Sequence, residues 1–157
     1  MTPAQKKKAL AILEADNGLL ESMLKRATGE LGELYVRDML IARGHKVDQL
    51  GNNSQECDLI VDGKFSVEVK SVRSNSAWFA RNRPASADFW VLVRLSNDPS
   101  DLEHETAEAW ILTLEEVQDC WDRNDYNQNL GRKGVADLRR KQVTKYKSNQ
   151  WEKMSNL

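Results

Sequence analysis

The stretch Cys57-Asp58-Leu59-Ile60-Val61-Asp62-Gly63-Lys64-Phe65-Ser66-Val67-Glu68-Val69-Lys70 organises the chain. It divides into two runs around Asp62-Gly63, a dipeptide that closes β-hairpins because both residues tolerate positive φ. Side chains alternate along a strand, so Val67 and Val69 share one face while Glu68 and Lys70 share the other. Asp58 falls on the neighbouring strand, where Asp is disfavoured and wants a reason. The hairpin register decides whether it has one. A two-residue loop pairs Val61 with Lys64 and sets Asp58 opposite Val67, on the wrong face. A three-residue loop, Asp62-Gly63-Lys64, or a bulge there, sets Asp58 opposite Glu68. Carboxylates and an amine on one sheet face suit a hard metal ion and an activated water. A partly buried ion cluster would use the same residues.

Working outward, Thr28 to Arg43 carries Leu31, Leu34, Tyr35, Met39 and Ala42 at helical spacing. Glu33 lies at the edge of that apolar face, where it can turn toward the sheet or pair with Arg37 one turn on. Upstream, Thr2-Pro3-Ala4-Gln5 has the form of a helix start, with a helix to about Ala15 that stops at Asn17-Gly18. Leu19 to Ala27 is a second amphipathic piece. These N-terminal helices cover the core or form a surface for a second copy or a larger protein.

Downstream of the hairpin, Lys46 to Leu50 having read as a short edge strand, Ser71 to Pro84 is a polar connection with a short helix near Ser76–Arg81. Arg73, Arg81 and Arg83 surround Trp78-Phe79 there. Asp88 to Leu95 is almost continuously apolar, as a central strand covered on both faces would be. Ala109 to Leu112 is the last expected strand, and Thr113-Leu114-Glu115-Glu116 is a capping box opening a helix to about Arg123. Asn97 to Glu105 and residues 124–134 are expected loops. Val135 to Met154 is a basic helical region, broken near Val143-Thr144. Trp90 and Trp110 belong to the core, and Trp78 is a core anchor before it is a stacking platform.

The 157 residues suffice for one domain with a proper core, and 30% charged residues is an ordinary share for a soluble chain. No apolar run approaches membrane-spanning length, and the N-terminus lacks the apolar core of a signal peptide. Cys57 and Cys120 form no CxxC, so a reduced, cytoplasmic protein is expected. His45 and His104 have no zinc-binding companions. No Gly-x-Ser-x-Gly or Cys/His pattern supplies a covalent nucleophile. The net charge is −1 but unevenly spread. Residues 64–94 are net +4, residues 126–157 net +6, and residues 95–125 net −9. A polyanion can use such asymmetry.

Asp58, then nine residues, then Glu68-Val69-Lys70, resembles the restriction-endonuclease-like superfamily of PD-(D/E)XK nucleases. Gly32-Glu33 in a helix before the Asp strand is the second match. The resemblance covers roughly residues 29 to 95, and Cys57 stands at the position of the family's Pro, which is often absent. It implies an α/β fold: a mixed four- to five-stranded sheet flanked by helices, in one domain. The divisions expected are 1–27 as a helical extension, 28–123 as the core and 135–154 as the basic helical region.

The activity implied is a metal-dependent nuclease, an endonuclease on DNA, with Mg2+ as cofactor and Mn2+ as substitute. Asp58, Glu68, Lys70 and Glu33 take the catalytic positions. Asp58 and Glu68 would bind magnesium with the Val69 carbonyl, Lys70 would handle the water, and Glu33 would assist a second metal or orient the water. Arg73, Arg81 and Arg83 would grip the nucleic-acid backbone through bidentate contacts to phosphate, unless the acidic stretch 95–125 absorbs them. The competing reading is a non-catalytic nucleic-acid-binding or assembly module on the same fold.

Overall fold

The computed structural model describes residues 3–50, 57–73, 77–80, 82–97, 107–124 and 136–155, with side chains from residue 18 onward in the first helix and from residue 138 onward at the end of the last strand. That first helix, α1 (Pro3–Ile41), is unbroken. The stops expected at Asn17-Gly18 and before Thr28 are therefore corrected. A single helical Gly costs only about 1 kcal/mol, which a long run of Ala, Leu, Lys and Glu outweighs. Thr28 does not cap a new helix; its hydroxyl donates to the Leu24 carbonyl one turn back at 2.8 Å. Thr2, the expected cap, lies outside the described residues.

The fold is α/β, with a mixed five-stranded sheet in the order β1 (Val47–Gln49), β2 (Leu59–Val61), β3 (Phe65–Val72), β5 (Phe89–Arg94) and β6 (Glu108–Thr113). β3 and β5 run parallel and the other neighbours antiparallel. The edge strand, the hairpin, the central strand and the strand before the capping box all stand where the sequence suggested.

Each face of the sheet buries its own core. Val36 and Leu40 of α1 press on Leu59, Val61, Val67, Val69, Val91 and Val93. The other face joins Trp90, Leu92, Trp110 and Leu112 to Val117 and Cys120 of α2 (Leu114–Asp122). β5 serves both cores, which explains its lack of polar alternation. Thr113 Oγ1 accepts from the Glu116 N–H at 3.3 Å while Glu116 Oε2 accepts from the Thr113 N–H at 2.9 Å, completing the expected capping box.

Two expectations fail on this second face. Residues 78–80 form a strand, β4 (Trp78–Ala80), paired with β7 (Ala136–Leu138), instead of a short helix. Trp78 and Ala80 are buried and Phe79 exposed, the two-residue period of a strand. Trp78 anchors it: its ring meets Trp110 edge-on at 5.3 Å, and its Nε1–H donates to the Val93 carbonyl at 2.8 Å. Ala109–Leu112 is thus not the last strand. Nor is Val135–Met154 a helical region; it yields β7, one turn of helix α3 (Arg140–Val143) and a 3-10 turn at Trp151–Met154. Leu138 and Val143 fill the second core, whereas Trp151 and Met154 fill the first. One helix cannot serve opposite faces of a sheet, so the segment bends, and it leaves helical form after Val143 as the sequence suggested. The loops expected at Asn97–Glu105 and 124–134 fall largely outside the described residues.

Candidate active site

The hairpin turn sets the register. Asp62 and Gly63 take φ of 55° and 64°, and the Lys64 N–H donates to the Val61 carbonyl at 3.0 Å. Pairing resumes with Phe65 opposite Val61 and Val67 opposite Leu59, so Lys64 is the extra residue. Counting one position further aligns Asp58 with Glu68. The ladder itself stops at Leu59, and Asp58 bends away from it.

That bend opens the sheet beside β3. The Asp58 N–H still reaches the Val67 carbonyl at 3.0 Å, but its side chain replaces the next rung: Oδ2 accepts from the Val69 N–H at 2.7 Å. In extended backbone the N–H and carbonyl of one residue face the same edge. The Val69 carbonyl therefore looks past the end of β2, onto the side where Asp58 stands. Glu68 and Lys70 are ion-paired and only partly exposed, and the Lys70 ammonium lies 5.8 Å from the centre of the Trp90 ring. Burial pushes the Glu68 carboxyl above its ordinary value, the Lys70 charge opposes that, and the Asp58 charge adds to it.

Glu33 reaches this cluster from α1. Its carboxyl is also raised, first by burial and then by the Asp58 charge, while a hydrogen bond from Gln49 Nε2 at 3.2 Å and the Lys70 charge act the other way. Arg37, the alternative partner, forms its ion pair with Asp38 instead at 2.8 Å. Glu33 thus faces the sheet opening. Gly32 allows the approach: a Cβ there would stand 1.6 Å from Ser71 Oγ and 2.6 Å from Ser71 Cβ. No side chain fits between α1 and the end of β3, so glycine sets the distance at which Glu33 arrives. The helical pattern alone revealed neither this contact nor the part of Gln49.

Asp58, Glu68, Lys70 and Glu33 are therefore neighbours across three elements. Their donor set is oxygen-rich and hard: the Asp58 carboxylate, whose charge reaches both Glu33 and Glu68, those two carboxyls, and a backbone carbonyl. Among the described residues, no three His, Cys, Asp or Glu side chains stand as a ready-made cation cage. Magnesium does not demand one, since it keeps several waters and takes one or two carboxylates. The chemistry of the donors fits such an ion.

No family model matches this chain, and no curated protein matches it. Among solved structures, it is similar to a bacterial homing endonuclease, I-Ssp6803I, with 15% sequence identity, 73% of this chain and 74% of that chain covered, and a TM-score of 0.41. A likeness of that degree carries no chemistry with it.

The three arginines part company. Arg83 lays its fork on Asp122, with Nε and Nη2 donating at 2.8 and 2.7 Å, an ion pair inside the acidic stretch that the sequence offered as the alternative. Arg73 donates from Nη1 to the Ser96 carbonyl at 3.0 Å, close to the end of β3. Arg81 lies outside the described residues. His45, free of any metal-ligand pattern, bonds Asp62 through Nδ1 at 2.8 Å and Ser155 through Nε2 at 3.2 Å, tying the hairpin turn to the C-terminal segment.

Proposed function

We propose that this chain is a metal-dependent endonuclease of the PD-(D/E)XK type that hydrolyses phosphodiester bonds in DNA. The observation that supports the reading is the hairpin register: one extra residue after Gly63 pairs Leu59 with Val67, so that counting one position further sets Asp58 against Glu68, where the opposite register would separate them. Asp58, Glu68 and the Val69 carbonyl would hold Mg2+, with Mn2+ as a substitute. Such an ion, when bound, polarises a phosphoryl oxygen and acidifies water. Lys70 holds a water beside the phosphate and offsets the negative charge that grows there. Glu33, held by Gln49, orients that water from the α1 side. DNA is the substrate most members of the resembled superfamily cut. Arg73 is the arginine best situated to meet the backbone, while Arg83 is already matched by Asp122.

A second reading has one observation in its favour. Lys70 is paired with Glu68, and one Asp58 oxygen is taken by the Val69 N–H, so the cluster satisfies itself. A non-catalytic nucleic-acid-binding module could keep it for stability alone. Incubating purified protein with supercoiled, linear, branched and single-stranded DNA in magnesium, manganese or EDTA separates the two. Cutting in either metal, absent in EDTA and lost in Asp58→Ala, Glu68→Ala and Lys70→Ala proteins that still fold, supports the enzyme. No cutting of any substrate overturns it in favour of the binding module.

A further inference from the structure

A cavity of about 640 Å3 adjoins the site, lined by Leu24, Lys25, Thr28, Ser71, Val72, Arg73 and Phe79. It falls in the range of roughly 300–1,000 Å3 typical of small-molecule sites. Ser71 immediately follows Lys70. On α1, Thr28 and Lys25 lie about one and two turns before Gly32 and Glu33. Lys25 to Glu33 spans about 12 Å along the helix, a few nucleotides of a strand at ~3.4 Å rise.

The lining has two halves. Leu24, Val72 and Phe79 offer apolar walls; Phe79 and Leu24 are 52% and 58% exposed. Phe79 projects outward because its neighbours Trp78 and Ala80 are fixed in the second core. Lys25 and Arg73 supply positive charge. Arg73 is braced on the Ser96 carbonyl, which leaves the remaining N–H groups of its guanidinium for another acceptor. A flat apolar body with an anionic group attached matches this lining better than an aliphatic chain or a bare phosphate. That is the description of an unstacked nucleotide, whose base can lie on an aromatic ring while its phosphate meets the cations.

We propose that this cavity takes an unpaired nucleotide of the DNA substrate, its base on Phe79 and its phosphate at Lys25 and Arg73. The proposal rests on the nuclease reading and deepens it: the preferred substrate has a nucleotide out of the helical stack a few positions from the scissile bond. A perfectly paired duplex has to unstack a base to fill the cavity, at a cost that a single strand or a bulge does not bear.

Fluorescein-labelled DNA of equal length, as single strand, perfect duplex and duplex with one bulged nucleotide, tests this by anisotropy in EDTA at fixed salt. The wild type should bind the single strand and the bulged duplex more tightly than the perfect duplex. Phe79→Ala should weaken those two about tenfold and leave the perfect duplex unchanged. Leu24→Glu, which puts an acid into the cavity, should do the same, with unfolding curves confirming that both variants fold. Equal binding of all three probes by the wild type, or a preference untouched by both variants, overturns the cavity assignment while nucleic-acid binding stands. Binding of none of the probes overturns this proposal together with the nucleic-acid reading beneath it.

Discussion

Replacing Gly32 with Ala adds one methyl group at the tightest point between α1 and the sheet. In an open helix that change stabilises by about 1 kcal/mol, because Gly is the poorer helix former. Here the new Cβ would lie 1.6 Å from Ser71 Oγ and 2.6 Å from Ser71 Cβ. The hydroxyl can rotate aside, but the Cβ belongs to the strand and cannot. α1 and β3 must separate, and overpacking of this kind costs about 1–3 kcal/mol. At the upper end of that range, less the gain in propensity, the net loss is ~2 kcal/mol, or a fall in Tm of about 4–8 °C for a chain of this size. Thermal unfolding followed by circular dichroism measures it. The control is the same substitution in a Ser71→Gly background. Both obstructing atoms are then gone, and the next atom, Ser71 Cα at 3.8 Å, is in ordinary contact. Gly32→Ala should now stabilise, so the double-mutant cycle should show a coupling of ~3 kcal/mol. Because Glu33 rides on the displaced turn, cleavage by Gly32→Ala protein should fall further than its stability does. An unchanged or raised Tm for the single substitution, or the same loss in both backgrounds, would refute the close approach.

Glu33→Gln should lower cleavage without lowering Tm in EDTA at pH 7. The Glu33 pKa is raised in the fold, so its ionised form opposes folding at neutral pH, and a neutral amide removes that opposition; a clear loss of Tm would mean that Glu33 is structural. Acid should act in the opposite sense at Asp88, whose carboxyl accepts from the Ser66 N–H at 2.8 Å and the Ser66 hydroxyl at 2.7 Å, and is held below its ordinary value of 3.8 first by the former. A depressed carboxyl contributes stability above its unfolded value and loses it as pH falls through the folded one, so Asp88→Asn should melt below wild type at pH 7 and converge with it below about pH 4. A gap that stayed constant across the titration would show that ionisation of Asp88 is not the cause.

The geometry of the candidate site was more legible than its surroundings, because it is local. Asp58, Glu68 and Lys70 lie within one hairpin, and strand alternation with turn chemistry left only two registers to separate. Glu33 needed one further element, and its place at the edge of the apolar face of α1 left it open between the sheet and Arg37. The cavity beside Ser71 was invisible, since it is made by α1, β3 and β4 together and no periodicity connects Lys25 with Phe79.

Amphipathic period and capping residues were enough for the sequence to determine the five strands of the main sheet, the capping box of α2 and the helical run that carries Glu33. These signals act over a few residues, where backbone sterics and side-chain alternation dominate. Local propensity also kept α1 continuous across Gly18, since neighbouring helix formers outweigh one glycine. Tertiary structure decided the rest. It drew Trp78 onto Trp110 and made a strand where local polarity suggested a helix. It divided the C-terminal segment between two cores on opposite faces of the sheet. It also chose the hairpin register, because only the arrangement with Lys64 as the extra residue buries Leu59 and Val67 in the same core.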